Sequence, residues 1–568
     1  MVIDGTTGND SLTGTAEADR LYGYGGGDWL HGEGGGDYIY GQDGDDTLLG
    51  GAGDDELHDA EDLDHVGDDS MFGEEGNDSF FPEHGDDTLD GGAGEDTAFI
   101  AISYPNAGVT LDLSTGAGVL AGWIYSFVFR SIEQLNFHGG VGQDSIIGGA
   151  GGDSLYGAEG DDVLQGGGGD DTLNGGIGND SLSGGAGNDS LWSTEGDDTL
   201  DGGEGEDYAS IGAYYADADV TLDLSTGAGV LEGWIYSVVF RSIERLSFYG
   251  GVGQDSIIGT AGGDVLHGGG GDDVLQGGDG DDSLFGGYGF GDARLSGGAG
   301  NDSLSSDGGN DTLDGGDGVD TASYSATSYA DITFDLAAGT GRLIQGTRVV
   351  VLTSIEQLVF SGSGGQDRIA GAARADKLYG DAGDDRLVGR GGDDYLTGAS
   401  GNDSLLGGLG KDKLRGYTGD DRLGGAGGND LLIGAQGDDT LWGGQGHDRL
   451  HGDAGQDVLT GGAGHDWFIF NFGASGQGWD TITDFDPVLD TIRLRGASLA
   501  GLANGVLPEG AFAVVADGLA QEADDRILYD SSTGALYWDI DGAGGADAVQ
   551  FAQLQAGLAL TAADFVFF

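Results

Sequence analysis

GGQGHDRLHGDAGQDVLTGGAGHDWF, residues 443–468, carries the period that decides the fold. Asp448, Asp457 and Asp466 stand nine residues apart, and two places after each comes Leu450, Leu459 or Phe468. Toward the N-terminus the same spacing runs back through Asp439, Asp430, Asp421, Asp412, Asp403, Asp394, Asp385 and Asp376 to Asp367. The partner two places on is apolar every time, from Ile369 and Leu378 through Leu432 and Leu441. A Gly- and Asp-rich chain of high net charge ordinarily reads as disordered. Disorder has no use for an apolar residue locked in phase, so the period predicts a repeat architecture instead.

The unit is G-G-x-G-x-D-x-U-x, with U apolar, and GGQGHDRLH (443–451) is a clean copy. Glycine admits positive φ and tight turning, so the first six positions make a loop. The last three, x-U-x, make a short strand whose middle residue points inward. On these residues the chain resembles the RTX, or hemolysin-type calcium-binding repeat, family. The resemblance implies an all-β fold, a parallel β-roll with two units per turn. Asp residues eighteen apart then face one another between turns, and the apolar residues stack as a thin core. It also implies Ca²⁺ held by both carboxylates, by carbonyls of positions 2 and 4 of one loop, and by carbonyls of positions 1 and 3 of the other. Such an all-oxygen set suits a hard cation.

Four blocks of repeats are expected. The first (1–97) holds Asp10, Asp19, Asp28, Asp37, Asp46 and Asp55, slips by five residues around EDLDHVGDD, and resumes at Asp69, Asp78, Asp87 and Asp96. The second (139–208) holds Asp144, Asp153, Asp162, Asp171, Asp180, Asp189, Asp198 and Asp207. The third (250–321) holds Asp255, Asp264, Asp273, Asp282, Asp302 and Asp320, with one-residue insertions near Asp292 and Asp302. The fourth (362–469) is the run from Asp367 to Asp466. All of these Asp residues are candidate calcium ligands.

Three related inserts separate the blocks, over 98–138, 209–249 and 322–361. VTLDLSTGAGVLAGWIYSFVFRSIEQLNF (109–137) nearly repeats as VTLDLSTGAGVLEGWIYSVVFRSIERLSF (220–248), and diverges in ITFDLAAGTGRLIQGTRVVVLTSIEQLVF (332–360). Their apolar–polar alternation and β-branched content read as strands. Trp123, Trp234, Tyr125 and Tyr236 suggest a ligand platform; the plainer reading is packing over the edge of each roll.

The last hundred residues (470–568) lose the repeat. Their WFIFNF, DTITDF and terminal DFVFF segments resemble the C-terminal region of serralysin-type metalloproteases. That resemblance implies a β cap carrying an uncleaved signal for a type I (ABC) secretion apparatus. The opening MVIDGTTGNDSL has no basic start and no apolar run, so no cleaved leader is expected. No apolar stretch is long enough for a transmembrane segment. The expected location is secreted, extracellular or at the cell surface.

Charge sharpens the picture. The 568 residues carry 100 Asp+Glu against 20 Lys+Arg, a formal net charge of −80, with 125 Gly, 4 Pro and no Cys. Nucleic-acid phosphates would be repelled. Without Cys there are no disulfides and no thiolate metal sites. Facing Asp pairs predict roughly 25 to 30 Ca²⁺, which would bring −80 to about −20 to −30. Without them the carboxylates repel, so binding and folding are expected to be one event.

Catalytic motifs are missing. None of the nine His begins H-E-x-x-H, and no Ser lies in G-x-S-x-G. His58, His65 and His84 invite a transition-metal reading, against ordinary loop histidines. Ten of the 20 basic residues fall between Arg368 and Arg449, many just after a repeat Asp, as Arg386 and Lys413 do. They would form ladders facing either a polysaccharide or neighbouring carboxylates. The expected protein is a non-catalytic, structural or adhesive roll whose partners are the export apparatus and a cell-surface polysaccharide or another copy of itself. The alternative is part of an RTX exoenzyme with activity in the inserts. A regular Thr ladder for ice binding is absent.

Overall fold

The computed structural model describes residues 1–59, 67–102, 108–122, 125–213, 218–233, 236–289, 291–326, 330–471, 478–495, 505–515, 522, 524–539 and 548–568. The chain divides into two compact units, Met1–Leu284 and Phe285–Phe568. Within each, the all-β parallel roll that the resemblance implies is what forms. Strands alternate between two faces, and each pairs in parallel with the strand one turn on. In the second unit Tyr395–Ser400 pairs with Lys413–Thr418 on one face, and Ser404–Leu409 with Arg422–Gly427 on the other. In the first, Arg20–Gly25 pairs with Tyr38–Asp43, and Val163–Gly168 with Ser181–Ala186.

The register aligns every U residue with the next, as Leu414 with Leu432 and Leu423 with Leu441. Because successive side chains on a strand point to opposite sides, only this middle residue enters the core. Leu396, Leu414, Leu432 and Leu450 are fully buried, as are Leu441 and Leu459 from the other face. The core is thus two facing apolar stacks, one side chain deep per strand.

Loop geometry explains the glycines. Positions 2 and 4 of most loops adopt positive φ. Position 2 tolerates other residues there, as Tyr24 (φ 71°), Gln42 (φ 73°) and Arg390 (φ 88°) show. Where position 4 takes positive φ it is Gly, because a second constraint applies; Glu17 and Arg374 stand at position 4 without positive φ. At Gly428 (φ 140°) an added Cβ would collide with the Gly410 carbonyl of the preceding turn. Position 5 carries a pattern of its own: its Asp or Asn side chain accepts the N–H of the equivalent residue one turn on. Asp384 accepts from Asn402 (2.8 Å), Asn402 from Asp420 (2.7 Å), Asp420 from Asp438 (2.9 Å) and Asp438 from Gln456 (2.8 Å).

The five-residue slip in the first block leaves the ladder in register. Thr47 pairs with Ser70 and Glu56 with Ser79, so these turns span 23 residues instead of eighteen. The inserts also join the coil. One face runs straight through each insert: Thr97–Ala101 pairs with Gln134–His138, Tyr208–Gly212 with Arg245–Tyr249, and Thr321–Ser325 with Gln357–Ser363. On the other face the chain overshoots, reverses and returns. Ile332–Ala337 pairs forward with Arg368–Ala370, then antiparallel with Thr340–Gln345. That strand pairs antiparallel with Arg348–Thr353, which stacks back on Thr312–Asp314. The first two inserts follow the same route through Thr110–Asp112 and Val128–Arg130, and through Thr221–Asp223 and Val238–Arg241. Trp123 and Trp234 lie outside the described residues.

At the C-terminal end, Asp480–Ile482 and Thr491–Arg495 continue the two faces. Phe565–Phe567 and Val549–Gln553 pair onto these, and Ala535–Trp538, Ile527–Asp530 and Phe512–Val515 carry the second face further. Among the described residues no helix is long and apolar enough to cross a membrane.

The position-4 constraint predicts a sharp contrast between neighbouring glycines. Gly428→Ala forces both a strained φ and a backbone collision and should lower the melting temperature in calcium by many degrees. Gly424→Ala, whose Cβ would meet mainly the flexible Leu406 side chain, should change it little. Thermal denaturation followed by circular dichroism compares the two.

Candidate metal centre

Each repeat Asp sits at the end of its loop, where the next strand begins, and the close packing of turns buries it. Every sequence-predicted Asp except the half-exposed Asp10 is at most 3% exposed. One carboxylate oxygen has a defined job. Oδ1 accepts the backbone N–H of the Asp one turn earlier: Asp403 from Asp385 (2.8 Å), Asp421 from Asp403 (2.8 Å) and Asp439 from Asp421 (2.8 Å). The same bond spans the slip, from Asp46 to Asp69 (2.8 Å) and from Asp55 to Asp78 (2.8 Å).

The other oxygen has none. Oδ2 of Asp28, Asp37, Asp46, Asp78, Asp87, Asp162, Asp171, Asp394, Asp412, Asp421, Asp439 and Asp448, among others, is buried without a hydrogen-bond partner. It leans over the first glycine of its own loop. A Cβ on Gly73 would lie within 3.0 Å of both Asp78 Oδ2 and the Gly91 carbonyl oxygen of the next turn. Gly157 meets Asp162 Oδ2 and the Gly175 carbonyl in the same way, and Gly443 meets Asp448 Oδ2 and the Gly461 carbonyl. Two oxygens from successive turns therefore converge on one small cradle with no donor between them. Buried acceptors of this kind are costly unless paired. An all-oxygen cradle with an anionic member fits Ca²⁺. Among the described residues no three His, Asp or Glu side chains gather around one point; the cradle is instead carboxylate plus backbone carbonyl.

Burial pushes these carboxyls up. Asp171, Asp394 and Asp439 rise to about 8, with burial the first cause and carboxylates of adjoining turns a further one. Asp46, Asp162, Asp385 and Asp448 rise to about 7, and Asp403, Asp412 and Asp430 to about 6.

Several predicted residues are already satisfied by protein donors. Asp10 Oδ2 accepts from Thr6 N–H (2.6 Å), Asp19 Oδ2 from Thr15 N–H (2.6 Å), and Asp198 Oδ2 from the Ser193 hydroxyl. Asp153, Asp264 and Asp376, each in the first turn after an insert, accept from Gly149 (2.6 Å), Thr260 (2.5 Å) and Ala372 (2.7 Å). Their Oδ1 atoms accept from the insert residues Leu135, Leu246 and Leu358. Asp144, Asp255 and Asp367 accept at Oδ1 from Val109, Val220 and Ile332, while their Oδ2 atoms stay buried without a partner.

The ladder also includes residues the reading of repeats passed over. Asp311 accepts the Ala293 N–H (2.8 Å). It stands nine residues from both Asp302 and Asp320, so the period marked it. Asp480 and Asp490 accept from Asp457 (3.2 Å) and Asp466 (3.0 Å), 23 and 24 residues on. No repeat signals them. His58 is stacked between Tyr40 and Phe81 (centroids 4.6 and 4.2 Å), and His84 packs edge-on to Tyr125 (5.5 Å). His65 lies outside the described residues.

The RTX calcium-binding nonapeptide repeat matches residues 4–39, 22–57, 66–98, 138–173, 174–209, 249–284, 288–322, 361–396, 397–432 and 433–468, more than half of the chain. The chain belongs to this family. RTX repeats bind Ca²⁺, so this protein binds it many times along its length. Among solved structures, the crystal structure of extracellular lipase LipA from Serratia marcescens is 19% identical, with a TM-score of 0.13. The match covers 57% of this chain and 41% of that one, so the chain spans about two fifths of its length. No curated protein matches.

The raised carboxyls set the pH dependence. A carboxyl whose pKa is higher in the fold than in the unfolded chain favours the fold when protonated, and that contribution is lost as pH rises through the folded value. In chelator, β signal should therefore fall as pH rises from about 4 to about 8. Calcium displaces the same protons, so the calcium midpoint should rise as pH is lowered from about 8 to about 6. Circular dichroism at pH 5 and 8, with chelator and with calcium, checks both signs. A pH-independent midpoint would contradict the assignment.

Proposed function

We propose that this RTX chain leaves the cell unfolded and folds outside it into a calcium-loaded, non-catalytic β-roll with a structural or adhesive role at or beyond the cell surface. The ions are held between turns by the repeat Asp carboxylates, from Asp28 in the first block to Asp466 in the fourth, with loop carbonyls completing each site. The observation that carries this reading is the series of buried Oδ2 atoms without partners. A chain of charge −80 gains little by closing such a ladder alone. A divalent cation in each cradle reverses that balance.

Calcium scarcity inside the cell keeps the chain extended for a type I apparatus, with the last hundred residues as the export signal. Extracellular modules bind at about 10⁻⁴–10⁻³ M, the range in which the roll would close. A non-catalytic role is supported by the missing protease and lipase motifs and by the use of buried acids for the ladder. For a partner we propose an acidic polysaccharide on the fourth block. There Lys411, Lys413, His447, Arg449, His465 and Trp467 line a groove of about 620 Å³ together with the ladder residues Asp412, Asp430 and Asp448, which calcium would neutralise, and Arg449 lies over the Trp467 ring at 4.6 Å. Positive charge concentrated on so acidic a chain favours an anionic ligand.

A calcium titration at pH 8, followed by far-ultraviolet circular dichroism and small-angle scattering, tests the coupling. A cooperative gain of β signal with sharp compaction near millimolar calcium is expected. A chain already compact and β-rich in excess chelator would overturn it.

A further inference from the structure

The inserts share Ser-Ile-Glu at 131–133, 242–244 and 354–356. In each, this tripeptide does the work of a whole repeat loop. Ladder pairing places Val128–Arg130 on Thr88–Asp90 and Gln134 on Thr97. Ser131 to Glu133 therefore joins the two faces as Gly91 to Asp96 joins them one turn earlier, with three residues instead of six. Ile132, Ile243 and Ile355 are fully buried beneath the short loop.

The shortened loop keeps a carboxylate and a carbonyl where the full loop places them. Glu133 Oε2 accepts the Asp96 N–H (3.1 Å), Glu244 Oε2 the Asp207 N–H (3.0 Å), and Glu356 Oε2 the Asp320 N–H (3.0 Å). Elsewhere that N–H goes to the Asp of the next turn. Glu is one methylene longer than Asp, which offsets a backbone that stops short. The first-position carbonyl is replaced as well. Ser131, Ser242 and Ser354 take left-handed φ of 48°, 49° and 51°. A Cβ on Gly91 would collide with both the Ser131 carbonyl oxygen and Asp96 Oδ2. Gly202 meets the Ser242 carbonyl and Asp207 Oδ2, and Gly315 the Ser354 carbonyl and Asp320 Oδ2. Asp96, Asp207 and Asp320 are fully buried, and their Oδ2 atoms have no hydrogen-bond partner.

We infer that each insert completes a divalent-cation site of its own: Asp96 with Glu133 and the Ser131 carbonyl, Asp207 with Glu244 and the Ser242 carbonyl, and Asp320 with Glu356 and the Ser354 carbonyl. Each ion would be calcium, closing the last turn of a block and fastening the insert to it. The inference rests on the calcium reading of the ladder. The competing account makes Glu a plain hydrogen-bond cap for the Asp N–H. Gln would cap equally well, since its amide oxygen accepts the same bond. Gln already follows Glu133 and Glu356, where Gln134 and Gln357 accept from Thr97 and Thr321 hydroxyls (3.1 Å each). A cap has no need of a second negative charge beside a buried carboxylate.

Glu→Gln at 133, 244 and 356 therefore separates the accounts. Native mass spectrometry of the full chain, saturated with calcium, counts the ions. The triple variant should hold three fewer than the parent with its β signal kept. If it does not fold, Glu133→Gln, Glu244→Gln and Glu356→Gln made singly should each hold one fewer. An unchanged count would overturn the inference, provided the mid-ladder control Asp421→Asn loses calcium. If the control also loses none, the calcium reading of the ladder fails, and this inference with it.

Discussion

Everything in this fold turns on a carboxylate with one oxygen occupied and one idle. Oδ1 of each ladder Asp accepts the N–H of its counterpart one turn earlier, which fixes the spacing of the turns. In the middle of the blocks, as at Asp394, Asp421 and Asp439, Oδ2 is buried over the first glycine of the loop and has no donor. The first bond defines the register; the second atom leaves a charge that the polypeptide does not neutralise. An uncompensated buried charge is too costly for a core one side chain deep. On the function proposed above, the roll is a scaffold whose stability is supplied from solution, with calcium concentration as the variable that decides whether the chain is folded.

That constraint explains features that otherwise look unrelated. Loop glycines are needed where carbonyls of adjacent turns approach, at Gly410 and Gly428 for instance, and not merely where φ is positive. The exposed Asp and Asn of position 5 tie successive turns together outside the cradle, so part of the acidity is structural and needs no ion. Where a block starts after an insert, Asp153, Asp264 and Asp376 find protein donors. Where a block ends, Asp96, Asp207 and Asp320 keep an idle oxygen, and a Glu stands beside it. The ends of each block are therefore chemically unlike.

The sequence by itself determined the repeat, the inward apolar residue and the Asp of each loop, because these recur at a fixed interval and need only local geometry; the parallel roll followed from the resemblance that the repeat carries. The calcium chemistry came through the resemblance of the repeat to the RTX family, with which the charge and the oxygen-only side chains agree. What only the tertiary structure decided is where the period breaks. That the five-residue slip preserves pairing from Asp46 to Asp69 depends on which strands stack, and spacing alone is silent on it. Asp480 and Asp490 join the ladder through turns of 23 and 24 residues that no repeat announces. Ser-Ile-Glu was legible as a recurring string, yet its equivalence to a six-residue loop appears only when Gln134 is seen stacked on Thr97. Periodicity encodes contacts between equal neighbours. Contacts between unequal ones are set by where the backbone places two strands, and that is a property of the folded coil.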